Sequence, residues 1–185
     1  PSISSAASDV YKRQDKLFEF NKITIALSKV IERNSWDQEA IMPSGALVDR
    51  AEEQACLMVI AHKRQTSNEF SDLLNSIKIE NLSKNESRQI SLMKKELKRA
   101  LSVPNDLIGA LAKHTTLAHS VWVDARKNND FQRFLPQFSK VLELRKEEAD
   151  AIRQDTDLSR YDALLQDYEP DIKPDYIDTI FDTLR

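Results

Sequence analysis

Gly45 and Gly109 are the only two glycines in a chain of 185 residues. That scarcity constrains the fold more than any motif does. Tight hairpins, bulges and phosphate-binding loops need backbone at positive φ, which glycine adopts without strain and other residues do not. Two glycines so far apart in sequence cannot make a dinucleotide-binding or P-loop fingerprint. The rest of the chain is rich in Leu, Ala, Glu, Lys and Arg, residues that lose little freedom on entering a helix. The expectation is an all-α fold, with 41% hydrophobic residues to build a core.

Apolar residues recur at steps of three and four along most of the chain, the pattern of helices with one buried face. From Asp15 to about Asn34 the series is Leu17, Phe20, Ile23, Leu27, Val30 and Ile31. Trp36, Pro43 and Gly45 interrupt it, so Ser35 to Gly45 reads as a loop. A second helix, with Leu47, Ala51, Gln54, Met58 and Ala61 on one face, runs to about Arg64, and a short one covers Glu69 to Ser76. Ser83-Lys84-Asn85-Glu86 has the capping-box form and opens a helix to about Leu101, with Ile90, Met93, Leu97 and Ala100 aligned. Val103-Pro104 ends it, because the proline ring disfavours α backbone in the residue before it; Pro104 suits the first position of the next helix. That helix carries Leu107, Leu111, Thr115, Ala118, Trp122 and Ala125 to about Lys127. Beyond the turn Asn128-Asn129-Asp130, another shows Phe131, Phe134, Phe138, Val141, Leu142, Ala149 and Ile152, with Pro136 in its first turns. A loop holding Tyr161, Tyr168 and Pro170 precedes a last helix from about Pro174.

The charge balance excludes some partners. With 27 Lys and Arg against 30 Asp and Glu, the formal net charge is −3, and no basic field favours nucleic acid. No apolar run reaches the roughly 18 to 20 residues that span a bilayer, and no secretory signal opens the chain. Cys56 is the single cysteine, which points to a reducing cytoplasm, and its apolar helical setting predicts a buried residue. The ends read as interrupted. The chain starts at Pro1 and stops at Arg185 within an unfinished helical pattern. Read back through one choice of codons, Asp9-Val10-Tyr11-Lys12-Arg13-Gln14 gives GAT GTG TAT AAG AGA CAG, a string resembling the transposase adapter of sequencing libraries. Residues 1–14 are therefore expected to be an adapter-derived tail, disordered or a casual extension of the first helix. Residues 15–185 are expected to be part of a longer protein.

Constellations for hydrolysis are missing. A zinc-binding His-Glu-x-x-His helix brings two imidazoles to one face by its four-residue step. Here the closest of three histidines, His114 and His119, are five residues apart, about 140° around a helix, and His62 stands alone. No metal site is expected. Glu147, Glu148 and Asp150, beside Arg145 and Lys146, read as a solvated charged face. Two segments read as loops concentrate aromatics, acids and amides, and such loops often carry function. They are Asn34 to Pro43, with Trp36 and Asp37, and Tyr161 to Pro170, with Tyr168 and Glu169.

These segments carry a family resemblance. Trp36-Asp37-Gln38-Glu39-Ala40-Ile41-Met42-Pro43 resembles the WDQE-x-x-MP segment of the M32 metallocarboxypeptidases, the carboxypeptidase Taq family. The likeness continues through Val103-Pro104, Trp122 to Lys127 with Asn129-Asp130-Phe131, Glu147 to Asp150, and Tyr161 to Pro170. Asp171-Ile172 departs from the glycine and methionine that often follow the family's YEP triplet. The resemblance spans about Asp15 to Arg185 in order. It implies a helical, groove-containing peptidase of the cytoplasm, commonly a homodimer, that removes C-terminal residues from peptides. Zinc or another divalent metal would be held by an HExxH helix beyond Arg185, so catalytic and metal residues are expected to be absent from this portion. Trp36, Asp37, Tyr168 and Glu169 are the substrate-groove candidates. The rival expectation is a non-enzymatic helical module whose exposed apolar stripe recruits a protein partner.

Overall fold

The computed structural model describes residues 5–78, 82–154 and 156–185, with side chains from residue 12 onward. The described residues form eight α-helices and one 3-10 turn, with no strand. The helices are α1 (Ser5–Ala40), α2 (Leu47–Gln65), α3 (Asn68–Asn75), α4 (Lys84–Ser102), α5 (Asn105–Lys127), α6 (Phe131–Arg153), α7 (Arg160–Leu165) and α8 (Pro174–Leu184); the turn, Ser44–Ala46, leads into α2. None is long and apolar enough to cross a membrane.

Local chemistry explains most of the boundaries. The Ser83 hydroxyl accepts from the Glu86 amide while the Glu86 carboxylate accepts from the Ser83 amide, closing the expected capping box of α4. Ser67 and Asp130 accept from the third amide of α3 and α6 in the same way. Pro174 begins α8, where its missing N–H costs nothing. Pro104 stands one residue outside α5 rather than at its first position. Positive φ occurs at Asn129, Gln154 and Asp171, not at glycine.

Two helix pairs organise the packing. α5 lies against both α2 and α6, and these are the most extensive contacts in the molecule. Gly109 makes the first approach possible, since a Cβ there would stand 3.0 Å from Val59 Cγ2. One core joins Leu17 and Phe20 of α1, Phe70 and Leu74 of α3, and Ile90, Met93 and Leu97 of α4. Leu17, Leu74 and Ile90 are fully buried, each worth about 1.5–3 kcal/mol of transfer free energy. Phe20 stacks on Phe70 at 5.4 Å between ring centres, and the Arg64 guanidinium lies over the Phe20 ring at 3.8 Å from its centre. A second core joins Val103, Leu107 and Leu111 to Leu144.

Several expectations need correction. The segment from Ser35 onward is not a loop, because α1 continues to Ala40. No residue between Ser35 and Ala40 forbids helix, and Pro43 is the first that does. The second predicted loop is helical in its first half, because Ser159 and Asp162 form a capping box that opens α7. Ser5 to Gln14 continue α1, the extension of the first helix named as the alternative to disorder, with Gln14 buried; residues 1–4 lie outside the described residues. Cys56 is exposed, because the apolar residues around it leave its own side of α2 unpaired. Thr115 and Trp122 lie on the open side of α5, and Thr116 is buried instead.

Candidate functional site

α1 packs on α2 and α3 but makes no extensive contact with α5 or α6, and the space between them stays open. A hollow of about 420 Å³ is bounded by α1, α2, α5 and α6. A second, of about 450 Å³, continues it toward α4, and the two share Ile31, Met58, Ile108 and Glu148. Together they form one trough. Its floor is apolar because Ile31, Met58 and Ile108 are helix-face residues that no further helix among the described residues covers.

Polar groups stand along its length. At one end Glu39 Oε1 lies 3.2 Å from His119 Nδ1, and the imidazole rests against Trp122 with ring centres 5.6 Å apart. Next, Gln54, 6% exposed, donates from Nε2 to Ser35 Oγ at 3.0 Å. Its Oε1 is buried and receives no hydrogen bond from the described residues. Where the two hollows meet, Glu148, also buried, accepts from Arg145 Nη1 at 2.6 Å and from Arg99 Nη2 at 3.4 Å. Arg99 also forks onto the Asp167 carboxylate. That hydrogen bond raises the Arg99 pKa against the opposing effect of burial, so the cation is held in place. Lys95 Nζ donates to Asp171 at 2.6 Å and fixes the same connection between α7 and α8.

The four residues singled out from the sequence lie beside this trough rather than within its lining. Trp36 is 63% exposed on the last turns of α1. Asp37 Oδ2 accepts from Arg50 Nη2 at 2.5 Å, which ties α1 to α2. Tyr168 is 81% exposed, and Glu169 is exposed in the turn after α7. Their chain neighbours reach the trough: Ser35, Gln38 and Glu39 line it, and Asp167 meets it through Arg99. The two motif-bearing segments therefore stand toward opposite ends of one depression.

Glu148 is the polar residue that sequence reasoning misplaced. It is not solvated, because it falls four residues after Leu144 and four before Ile152, on the face α6 turns to the core. That spacing was the available signal.

No group of three His, Cys, Asp or Glu side chains among the described residues is placed to hold a metal ion. His62 is committed to packing: its Nε2 donates to Ala100 O at 2.9 Å, and its Nδ1 lies 2.8 Å from Asn105 Oδ1. With both ring nitrogens engaged and His119 paired to Glu39, these residues do not fit a catalytic metal.

The profile of the Carboxypeptidase Taq (M32) metallopeptidases matches residues 16–185. The chain is 29% identical over 151 residues to Thermostable carboxypeptidase 1 of Pyrococcus furiosus, covering 81% of this chain and 30% of that protein. It is 27% identical over 180 residues to Thermostable carboxypeptidase 1 of Thermus thermophilus, covering 91% and 35%. The backbone superposes on the BsuCP crystal structure with a TM-score of 0.87 at 23% identity, over 94% of this chain and 35% of that one. Against Trypanosoma cruzi metallocarboxypeptidase 1 the TM-score is 0.75 at 24% identity, with 94% and 35% covered. The chain thus spans about a third of the length of the curated relatives it matches. A match that runs through the helices, both ends of the trough and the turn at Asp171 shows that the chain belongs to the M32 carboxypeptidase Taq family of metallopeptidases.

Proposed function

We propose that this chain is the N-terminal portion of a zinc-dependent carboxypeptidase that removes C-terminal residues from peptides. The observation that carries this reading is the family match over residues 16–185. In the parent enzyme zinc would polarise the terminal peptide bond and activate water. No described cluster of His, Cys, Asp or Glu side chains is arranged to hold such an ion, so none of these residues is assigned a hydrolytic step. Their role is architectural: helices that wall the substrate groove, with Trp36, Asp37, Tyr168 and Glu169 as the groups that meet the peptide. The exposure of Trp36 and Tyr168 supports that assignment. The resemblance also supports a homodimer, and a lone cysteine supports the cytoplasm. In this reading residues 15–185 are the peptidase portion and residues 1–14 an adapter-derived flank.

A helical interaction module is the second reading, favoured by one observation. Phe131, Leu135, Phe138 and Leu142 form an exposed stripe on α6. Reading the source DNA past the codon for Arg185 separates the two. An in-frame HExxH helix is expected, and a stop codon there would leave the interaction module in front. The purified chain is also expected to release no C-terminal amino acids with zinc present. Chelator-sensitive release above a heat-killed control contradicts the placement of the histidines.

A further inference from the structure

We propose that Arg99 is a positioning residue: through the Asp167 carboxylate it holds the turn between α7 and α8 so that Tyr168 and Glu169 meet the peptide in a fixed place. The inference rests on the reading that the parent is a longer peptidase whose substrate touches these two side chains, and adds what orients them.

Helix packing alone holds this turn poorly. α7 has six residues, too few for a stable helix by itself, and among the described helices it packs extensively only on α6. α8 makes no extensive contact with another described helix. Within the turn, Gln166 Oε1 accepts from the Asp171 amide at 2.9 Å and Gln166 Nε2 donates to Ile172 O at 3.2 Å. The amides of Tyr168 and Glu169 both donate to Leu165 O, at 3.0 and 2.9 Å. These bonds fix the shape of the turn but not its place on the molecule. Its place is set from α4. Lys95 and Arg99 stand one helical turn apart, about 6 Å along the axis. They meet Asp171 and Asp167, which flank Tyr168 and Glu169 in sequence. The two contacts are unequal. Lys95 makes a single exposed ion pair, which constrains little. Arg99 makes a forked one, whose planar geometry fixes direction as well as distance, and the buried Glu148 carboxylate holds the same guanidinium. Tyr168 and Glu169 meanwhile stay open to solvent. Binding side chains on a backbone already held in place avoids part of the ordering cost that a loose turn would incur when the peptide arrives.

The test is made in the chain extended through its natural reading frame, with kcat and KM measured separately on a peptide. Tyr168→Ala with Glu169→Ala is expected to raise KM about tenfold and leave kcat little changed, the sign of lost binding shared by ground and transition states. Arg99→Gln is expected to raise KM comparably although both contacting side chains remain. Arg99→Lys, which keeps the charge but not the fork, should recover only part of the loss. The deciding measurement adds Arg99→Gln to the Tyr168→Ala and Glu169→Ala variant. KM should rise no further, because Arg99 acts through groups already removed. Glu86→Ala, which breaks the capping box at the far end of α4, controls for lost stability: its urea midpoint should fall while KM stays. Multiplying effects of Arg99→Gln and the double variant overturn the inference. So does an Arg99→Gln enzyme whose KM is unchanged, or whose KM shift Glu86→Ala reproduces. If the double variant leaves KM unchanged in an active enzyme, this inference fails and the carboxypeptidase reading stands. If the extended protein releases no C-terminal residues, both fail.

Discussion

Asp171 has φ 69°, a conformation in which a Cβ crowds the following carbonyl. The glycine that often follows the family's YEP triplet answers that strain, and Asp171 departs from it while gaining an ion pair with Lys95. Exposed pairs contribute little, so relief of the backbone should dominate. Asp171→Gly is expected to leave the urea midpoint unchanged or higher, and Asp171→Val to lower it; a clear loss with glycine would contradict this account. The Lys95 hydrogen bond also holds the Asp171 carboxyl below its ordinary pKa. Asp150 is lowered by the hydrogen bond from Arg160, and Glu86 by that from Ser83. A carboxylate depressed in the folded state contributes stability that is complete above its ordinary pKa and disappears as pH falls through the folded value. Urea midpoints are therefore expected to hold between about pH 5 and 7 and to drop below about pH 4. The Glu86→Gln, Asp150→Asn and Asp171→Asn triple variant should flatten that drop.

At the scale of elements, the period of the apolar residues located helices well and their ends less well. α4 was readable because a capping box precedes a long apolar series. α7 carries the same box at Ser159, but six residues give no period to accompany it. α1 runs past its expected end because the aromatic and acidic residues from Ser35 to Ala40 include no helix breaker. In α6, Pro136 lies inside the helix, past the first turn, so the Gln132 carbonyl lacks its usual helical donor. Pro136→Ala is expected to stabilise the chain by about 1 kcal/mol or more, read from denaturant unfolding. No gain would mean that the proline ring packs as well as alanine and its missing bond together.

Across the whole molecule, Glu148 joins parts that no local pattern connects. It holds Arg145 on its own helix and Arg99 on α4, and Arg99 holds Asp167 beyond α7. Removing Glu148 takes away the buried acceptor of two charge-assisted hydrogen bonds and leaves their partly exposed arginines to solvent. Glu148→Ala is expected to cost about 2 kcal/mol of unfolding free energy, whereas Glu147→Ala, on the exposed side, should stay within about 0.5 kcal/mol. Equal effects would place Glu148 among the solvated charges where its neighbours first suggested it belonged.

Scarce glycine and the three-to-four spacing of apolar residues determined the helical class, since both act through local backbone preference. Separated motifs in order determined the family. Neither could show what stands opposite a helix face, because period marks a side and not its neighbour. Arg99, 49 residues earlier in sequence, makes Glu148 a buried partner, and Gln54 Oε1 is enclosed with no donor among the described residues. Those outcomes belong to the tertiary structure, where residues distant in the chain meet or fail to meet.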